Sequence, residues 1–178
     1  MKYRRAFMPG GSFFFTVVTG KRRPLLASPE SVDVLRTAFR TVQSTRQFEM
    51  NAVVVLPDHL HCIWTLPPGD DDFAIRWRLI KTWFTKHCEP GLRAEPDRAR
   101  LAKREQAIWQ HRYWEHMLRD ELDFAHHVEY IHFNPVKHGL VSTAMDWQFS
   151  SFRRYVEAGV YPADWGGSTK DWKGVGYE

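Results

Sequence analysis

The chain has 178 residues, 43% hydrophobic and 26% charged, with a formal net charge of +4 at pH 7. That is the make-up of one soluble globular domain, alone or with a tail, and the chain is long enough to bury a real core. No segment approaches the roughly 20 apolar residues that a membrane span requires. The two cysteines, Cys62 and Cys88, show no CxxC spacing. A disulfide framework and a cysteine-based zinc site are thereby excluded, and a reducing, cytoplasmic setting is expected.

The charge is unevenly spread. No acidic residue precedes Glu30, whereas Lys2, Arg4, Arg5, Lys21, Arg22 and Arg23 all do. Such a bias suits a polyanion, although a solvated terminus would look the same. Aromatic residues make up 15% of the chain, with eight tryptophans among them. Packing is their ordinary fate, and stacking on unpaired bases is the alternative.

In chain order, Ser12 to Thr19 is a β-rich run and forms the first strand. Ser28-Pro29-Glu30 opens a helix, with a capping serine, proline at the first helical position and an acid in the first turn. Val32, Leu35, Phe39 and Val42 recur at helical spacing and carry it to about Ser44. Glu49 to Leu56 is the second strand, whose Val53-Val54-Val55 run predicts burial on both faces at mid-sheet. The Pro57-Asp58 turn leads into a third strand, His59 to Leu66, antiparallel to the second. Asp70 to Asp72 and the stripe Phe73, Trp77, Ile80, Phe84 predict a second helix over 71–87. Its polar side holds Arg76, Arg78, Lys81 and Lys86, either a solvated face or one that tracks a nucleic-acid backbone. The stretch 89–105 reads as a connection, with a helical turn near Ala99 to Gln106.

Trp109 to Leu118 is predicted as the fourth strand. Asp120 caps a third helix with Leu122, Ala125, Val128 and Ile131 facing inward, which Pro135 must end or kink and which exits at Lys137-His138-Gly139. A short helix follows near Ser151 to Glu157, and residues 159–178 form a tail beyond the domain at 1–158. The order βαββαβ predicts an α+β fold, ferredoxin-like or RRM-like: an antiparallel sheet with helices on one face.

Two features carry chemistry. His59 and His61 share one face of a strand, because side chains alternate with period two. Two imidazoles side by side are half of a divalent-metal site, though such pairs are more often hydrogen-bonded core residues. On the third helix, His126, Tyr130 and Asn134 stand at i, i+4 and i+8, a face turned away from the inward stripe. From spacing alone the plainer reading prevails: a surface tyrosine, and an asparagine preparing the turn at Pro135.

The segments Leu56-Pro57-Asp58-His59-Leu60-His61-Cys62-Ile63-Trp64 and Val128 to Val141 (VEYIHFNPVKHGLV) together resemble the REP-associated tyrosine transposases, relatives of the HUH-type single-strand DNA transposases. Further similarity lies in Tyr3-Arg4-Arg5 with Gly10-Gly11, in Gly69 to Phe73 with Arg76-Trp77, in Arg112 to His116 and in Tyr161 to Trp165. The resemblance implies a metal-dependent endonuclease and strand transferase acting on REP-type hairpins with a tetranucleotide at the foot, as monomer or homodimer. It implies Tyr130 as nucleophile, forming a 5′-phosphotyrosine, and His59, His61 and Asn134 as ligands for Mg²⁺ or Mn²⁺. Arg4, Arg5, Lys21, Arg22, Arg23, Arg76, Lys81 and Arg112 are then expected to hold DNA. His126 and His132 are candidates for moving the phenol's proton.

Overall fold

A computed structural model describes residues 9–93 and 107–166. Arg4, Arg5, the turn expected at 99–106 and most of the tail lie outside the described residues. Four strands, β1 (Ser12–Val18), β2 (Glu49–Val55), β3 (His59–Thr65) and β4 (Trp114–Met117), form one sheet in the order β2-β3-β1-β4. All neighbouring strands run antiparallel. Between them lie α1 (Pro29–Gln43) and α2 (Phe73–His87), followed by α3 (Glu121–Lys137) and α4 (Phe152–Glu157). This is the ferredoxin-like order read from the sequence.

Local chemistry sets the element ends. The Ser28 side chain accepts from the Ser31 amide, Asp72 from Ile75 and Asp120 from Asp123, each filling a helix-start donor. Helix α3 continues past Pro135 rather than stopping there. It closes when Gly139, at φ +67°, lets the Leu140 amide reach the Pro135 carbonyl and its own amide reach Val136. The expected fourth strand shrinks to Trp114–Met117, while Trp109 makes a single bridge to Thr19.

Strand alternation divides the core in two. Phe13, Phe15, Val17, Leu60, Cys62 and Trp64 face α1 and α2, where Trp64 stacks on Trp77 at 4.3 Å between ring centroids. Phe14, Ala52, Val54 and Ile63 face the other way and are covered by Val128, Tyr130 and Ile131 of α3. The helices therefore do not all lie on one face: α3 closes the side expected to be open. Of its expected inward stripe Val128 and Ile131 are buried, but Leu122 is 83% exposed, and Tyr130 and Asn134 are buried as well. The packed face takes in His127, Val128, Tyr130, Ile131 and Asn134, over a floor that includes His61 and Phe14.

Strand β2 is an edge strand, not a central one. Its valines are covered because residues 147–151 pair alongside: the Val55 amide donates to the Phe149 carbonyl and the Ser151 amide to Val53. The Trp147 indole also donates to the Val55 carbonyl. Covering the edge hides backbone groups that would otherwise invite another strand.

Arg76, expected at DNA, is instead a structural pin only 2% exposed. Its guanidinium donates twice to the Asp70 carboxylate, at 3.0 and 2.6 Å, and to the carbonyls of Asp72, Arg46 and Gln47. A planar fork with five N–H donors satisfies this set, which the three donors of a lysine ammonium cannot. Replacing Asp70 by Ala strands the buried cation. Stability is expected to fall by about 3 kcal/mol, measured by urea unfolding, and Arg76→Lys should not restore it.

Candidate functional site

The site lies where β3 passes beneath α3. His59 and His61 are 2% and 0% exposed, with ring centroids 4.9 Å apart. Each ring is held by its Nδ1. His61 Nδ1 is hydrogen-bonded to the Thr16 hydroxyl at 2.9 Å. His59 Nδ1 lies 2.6 Å from Asp58 Oδ1, where an ionised carboxylate can only accept. Burial alone would raise the Asp58 pKa, but hydrogen bonds and charge from His59 and Arg22 outweigh it and hold it low. Both Nε2 atoms lie buried on the inner side. Oxygen partners behind the rings are the arrangement by which proteins aim histidine ligands at a metal.

From above, the Tyr130 ring stands 5.3 Å from that of His61, and His138 stands 5.3 Å from His59. Asn134 is one helical turn from Tyr130 and from His138, and so lies on the same side of α3. Its side chain is 0% exposed and its Oδ1 is buried. Imidazole nitrogens and an amide oxygen are donor types that Mn²⁺ or a comparable divalent ion accepts. Phe14 packs beside both His61 and Tyr130, at 5.5 and 6.0 Å.

The Tyr130 hydroxyl accepts from Lys137 Nζ at 3.3 Å, and the same ammonium lies 4.9 Å from the ring centroid. The sequence reading passed over Lys137, His138, Asp58 and Thr16. Lys137 could have been found, because it follows Tyr130 by seven residues and shares its helix face. Thr16 could not, because it reaches His61 only through the pairing of β1 with β3.

Of the two expected proton carriers, His132 is turned away from the phenol. His126 meets the neighbouring His127 ring at 6.2 Å. His132 lies two residues from Tyr130 and so points to the opposite side of the helix. There its Nε2 bonds the Ser151 hydroxyl at 2.9 Å and its ring packs on Tyr155 and Tyr161. Burial pushes its pKa down to about 3, so it is a neutral packing residue.

Of the expected DNA contacts within the described residues, Lys21, Arg22 and Arg112 are exposed. Arg23 is engaged by the carbonyls of Leu92 and Ala107. Lys81 donates to the Gln110 carbonyl at 3.1 Å, and burial brings its pKa down to about 8. Arg23 and Lys81 thus hold the carbonyls of Leu92, Ala107 and Gln110.

A second titratable group sits nearby. His116, Asp123 and His127 approach closely enough to hold a cation, but hydrogen bonds already occupy them. His116 Nε2 is 3.0 Å from Asp123 Oδ2, Arg119 donates to the same oxygen at 3.1 Å, and His127 Nδ1 donates to the Asp123 carbonyl at 2.8 Å. Burial opposes ionisation of Asp123, yet bonds from His116 and Arg119 bring its pKa to about 2. This network pins the first turn of α3 to β4 and so fixes where Tyr130 falls.

No protein-family model matches the sequence. The chain is 49% identical over 170 residues to the REP-associated tyrosine transposase of Escherichia coli (strain K12), covering 96% of this chain and 93% of that protein. The chain belongs to the REP-associated tyrosine transposases. A Haemophilus influenzae relative is 43% identical over 166 residues, 93% of each chain. A solved structure of a REP-associated tyrosine transposase bound to a REP hairpin superposes with a TM-score of 0.82 at 45% identity, covering 100% of this chain and 98% of that one. This transposase is thus an enzyme of that class, with the same α+β fold. Among its described residues no helix is long and apolar enough to cross a membrane.

The buried histidines give a pH signature. His132 binds a proton near pH 6.5 when unfolded but only near pH 3 when folded, so unfolding takes up a proton between those values. Stability is therefore full above pH 6.5 and falls as pH drops through that window. His127, lowered mainly by burial, acts in the same sense. Thermal melts of His132→Gln between pH 7 and pH 4, which keeps a donor for Ser151, should show a shallower fall than the wild type.

Proposed function

We propose that this transposase cleaves and rejoins single-stranded DNA at the foot of a REP-type hairpin, with Tyr130 as nucleophile and a divalent ion held by His59, His61 and Asn134. The observation that supports this most directly is the Tyr130 ring 5.3 Å from His61, one of two imidazoles whose Nδ1 atoms are already committed to oxygen partners. Residues 1–158 would form the catalytic domain and 159–178 its tail. When bound, the divalent ion would draw charge from the scissile phosphate and offset what builds up in the transition state.

The chain's own groups supply the rest. Tyr130 Oη attacks phosphorus, the P–O3′ bond breaks, and the phenol's proton passes to solvent as the 3′ oxygen gains one. The products are a 5′-phosphotyrosine and a 3′-hydroxyl. Bond energy is kept, so another 3′-hydroxyl can reverse the step without a nucleotide cofactor. The Lys137 ammonium, donating to Oη at 3.3 Å, steadies the negative charge as the proton leaves. Tyr130 is 1% exposed, and the exposed pair Lys137 and His138 marks the end of α3 through which a phosphate would enter. Lys21, Arg22 and Arg112 offer donors to the DNA backbone.

The test uses 5′-flanked REP hairpin DNA labelled on the strand that stays with the protein, with and without Mn²⁺. Wild type should carry label after denaturation only when metal is present, and Tyr130→Phe should carry none. Product with a 5′-phosphate and unlabelled protein would point to hydrolysis, and no cleavage at all to a binding module. Lys137→Met should slow cleavage about 10–100-fold at neutral pH, the worth of one charge-assisted hydrogen bond, with the deficit narrowing as pH rises.

A further inference from the structure

One of the two paired histidines is wired to a distant loop. Asp58 Oδ1 lies 2.6 Å from His59 Nδ1, and its other oxygen, Oδ2, lies 3.2 Å from Arg22 NH1. Arg22 belongs to the turn after β1, and that turn is clamped on three sides. The Thr19 amide and hydroxyl both donate to the Asp58 carbonyl, at 2.9 and 2.8 Å. The Gly20 amide donates to the Ile108 carbonyl at 2.7 Å, so closely packed that a Cβ on Gly20 would fall 2.3 Å from the Ala107 oxygen. The Arg23 guanidinium reaches the carbonyls of Leu92 and Ala107. Between these clamps Lys21 and Arg22 adopt φ of 54° and 50°, a left-handed backbone that side chains other than glycine's resist. A glycine would relax that backbone but could not deliver a guanidinium to Asp58.

We propose that Asp58 and Arg22 are positioning residues for His59, so that the aim of this imidazole is set by the basic turn after β1. The inference rests on the metal reading given above. Asp58 fixes the Nδ1–H tautomer and leaves the Nε2 lone pair facing inward, and Arg22 fixes the carboxylate. An exposed ion pair by itself would do little, and Arg22 and Asp58 are 43% and 24% exposed. This pair acts through His59.

Mn²⁺ binding to the full-length chain without DNA, followed by titration calorimetry or by the electron spin resonance of unbound Mn²⁺, decides the matter. Wild type should bind, His59→Ala should lose binding, and Asp58→Asn should weaken it about 10–100-fold, as outer partners of metal-bound histidines commonly do. Arg22→Ala should also weaken it. A mere charge effect would do the opposite, because removing a cation near the site favours Mn²⁺. Melting temperatures of the same samples separate this from general loosening, and ¹⁵N spectra of the His59 ring in Asp58→Ala read the tautomer directly. Unchanged affinity in Asp58→Asn, or tighter binding in Arg22→Ala, overturns the proposal. Failure of the wild type to bind Mn²⁺ overturns the metal reading, and this inference with it.

Discussion

The seating of α3 across the second face of the sheet is the constraint on which the rest of the site depends. A βαββαβ sheet already buries one face beneath α1 and α2, so the other must be covered or left to solvent. Here it is covered by Val128, Tyr130 and Ile131 resting on Phe14, Val54 and Ile63. The same contact brings a phenol over a histidine. Packing and the geometry of the site are therefore one interaction, and a residue that loosens the helix also moves Tyr130.

Two polar devices hold the register of that contact. At the start of α3, Asp123 gathers His116, Arg119 and His127, joining the helix to β4. At its far side, His132 meets Ser151, whose hydroxyl also donates to the Val53 carbonyl on the sheet edge. Phe152, Tyr155, Tyr161 and Trp165 pack around it. Tyr130 lies between the two ties, and Asn134 and His138 follow it at one-turn intervals. Buried polar groups tied at two places along it leave the helix little freedom to slide or roll.

Charge divides by purpose in a way that sequence position does not reveal. Arg76 and Arg23 look like members of a basic face, yet their donors are spent on carbonyls and on Asp70. Arg22 is exposed, but it is paired with the carboxylate behind His59. Long cationic side chains can thus serve as an internal pin, as a brace on backbone carbonyls or as the partner of a carboxylate. Only burial and partner identity distinguish them.

The sequence by itself determined what local periodicity and capping can fix. The succession of strands and helices along the chain, the helix starts at Ser28 and Asp120, the acidic start of the second helix, the exit at Gly139 and the shared face of His59 and His61 all follow from local spacings. It also carried the family through two long motifs. What only the tertiary structure decided was which faces meet. An amphipathic pattern shows that a helix has an inner side, but Leu122 and Tyr130 compete for that role until the floor beneath is known. The floor is built from β1 and β3, far from α3 in the chain. The partners of His61, the edge position of β2 and the burial of Arg76 share this cause: each depends on contacts between residues that no local period relates.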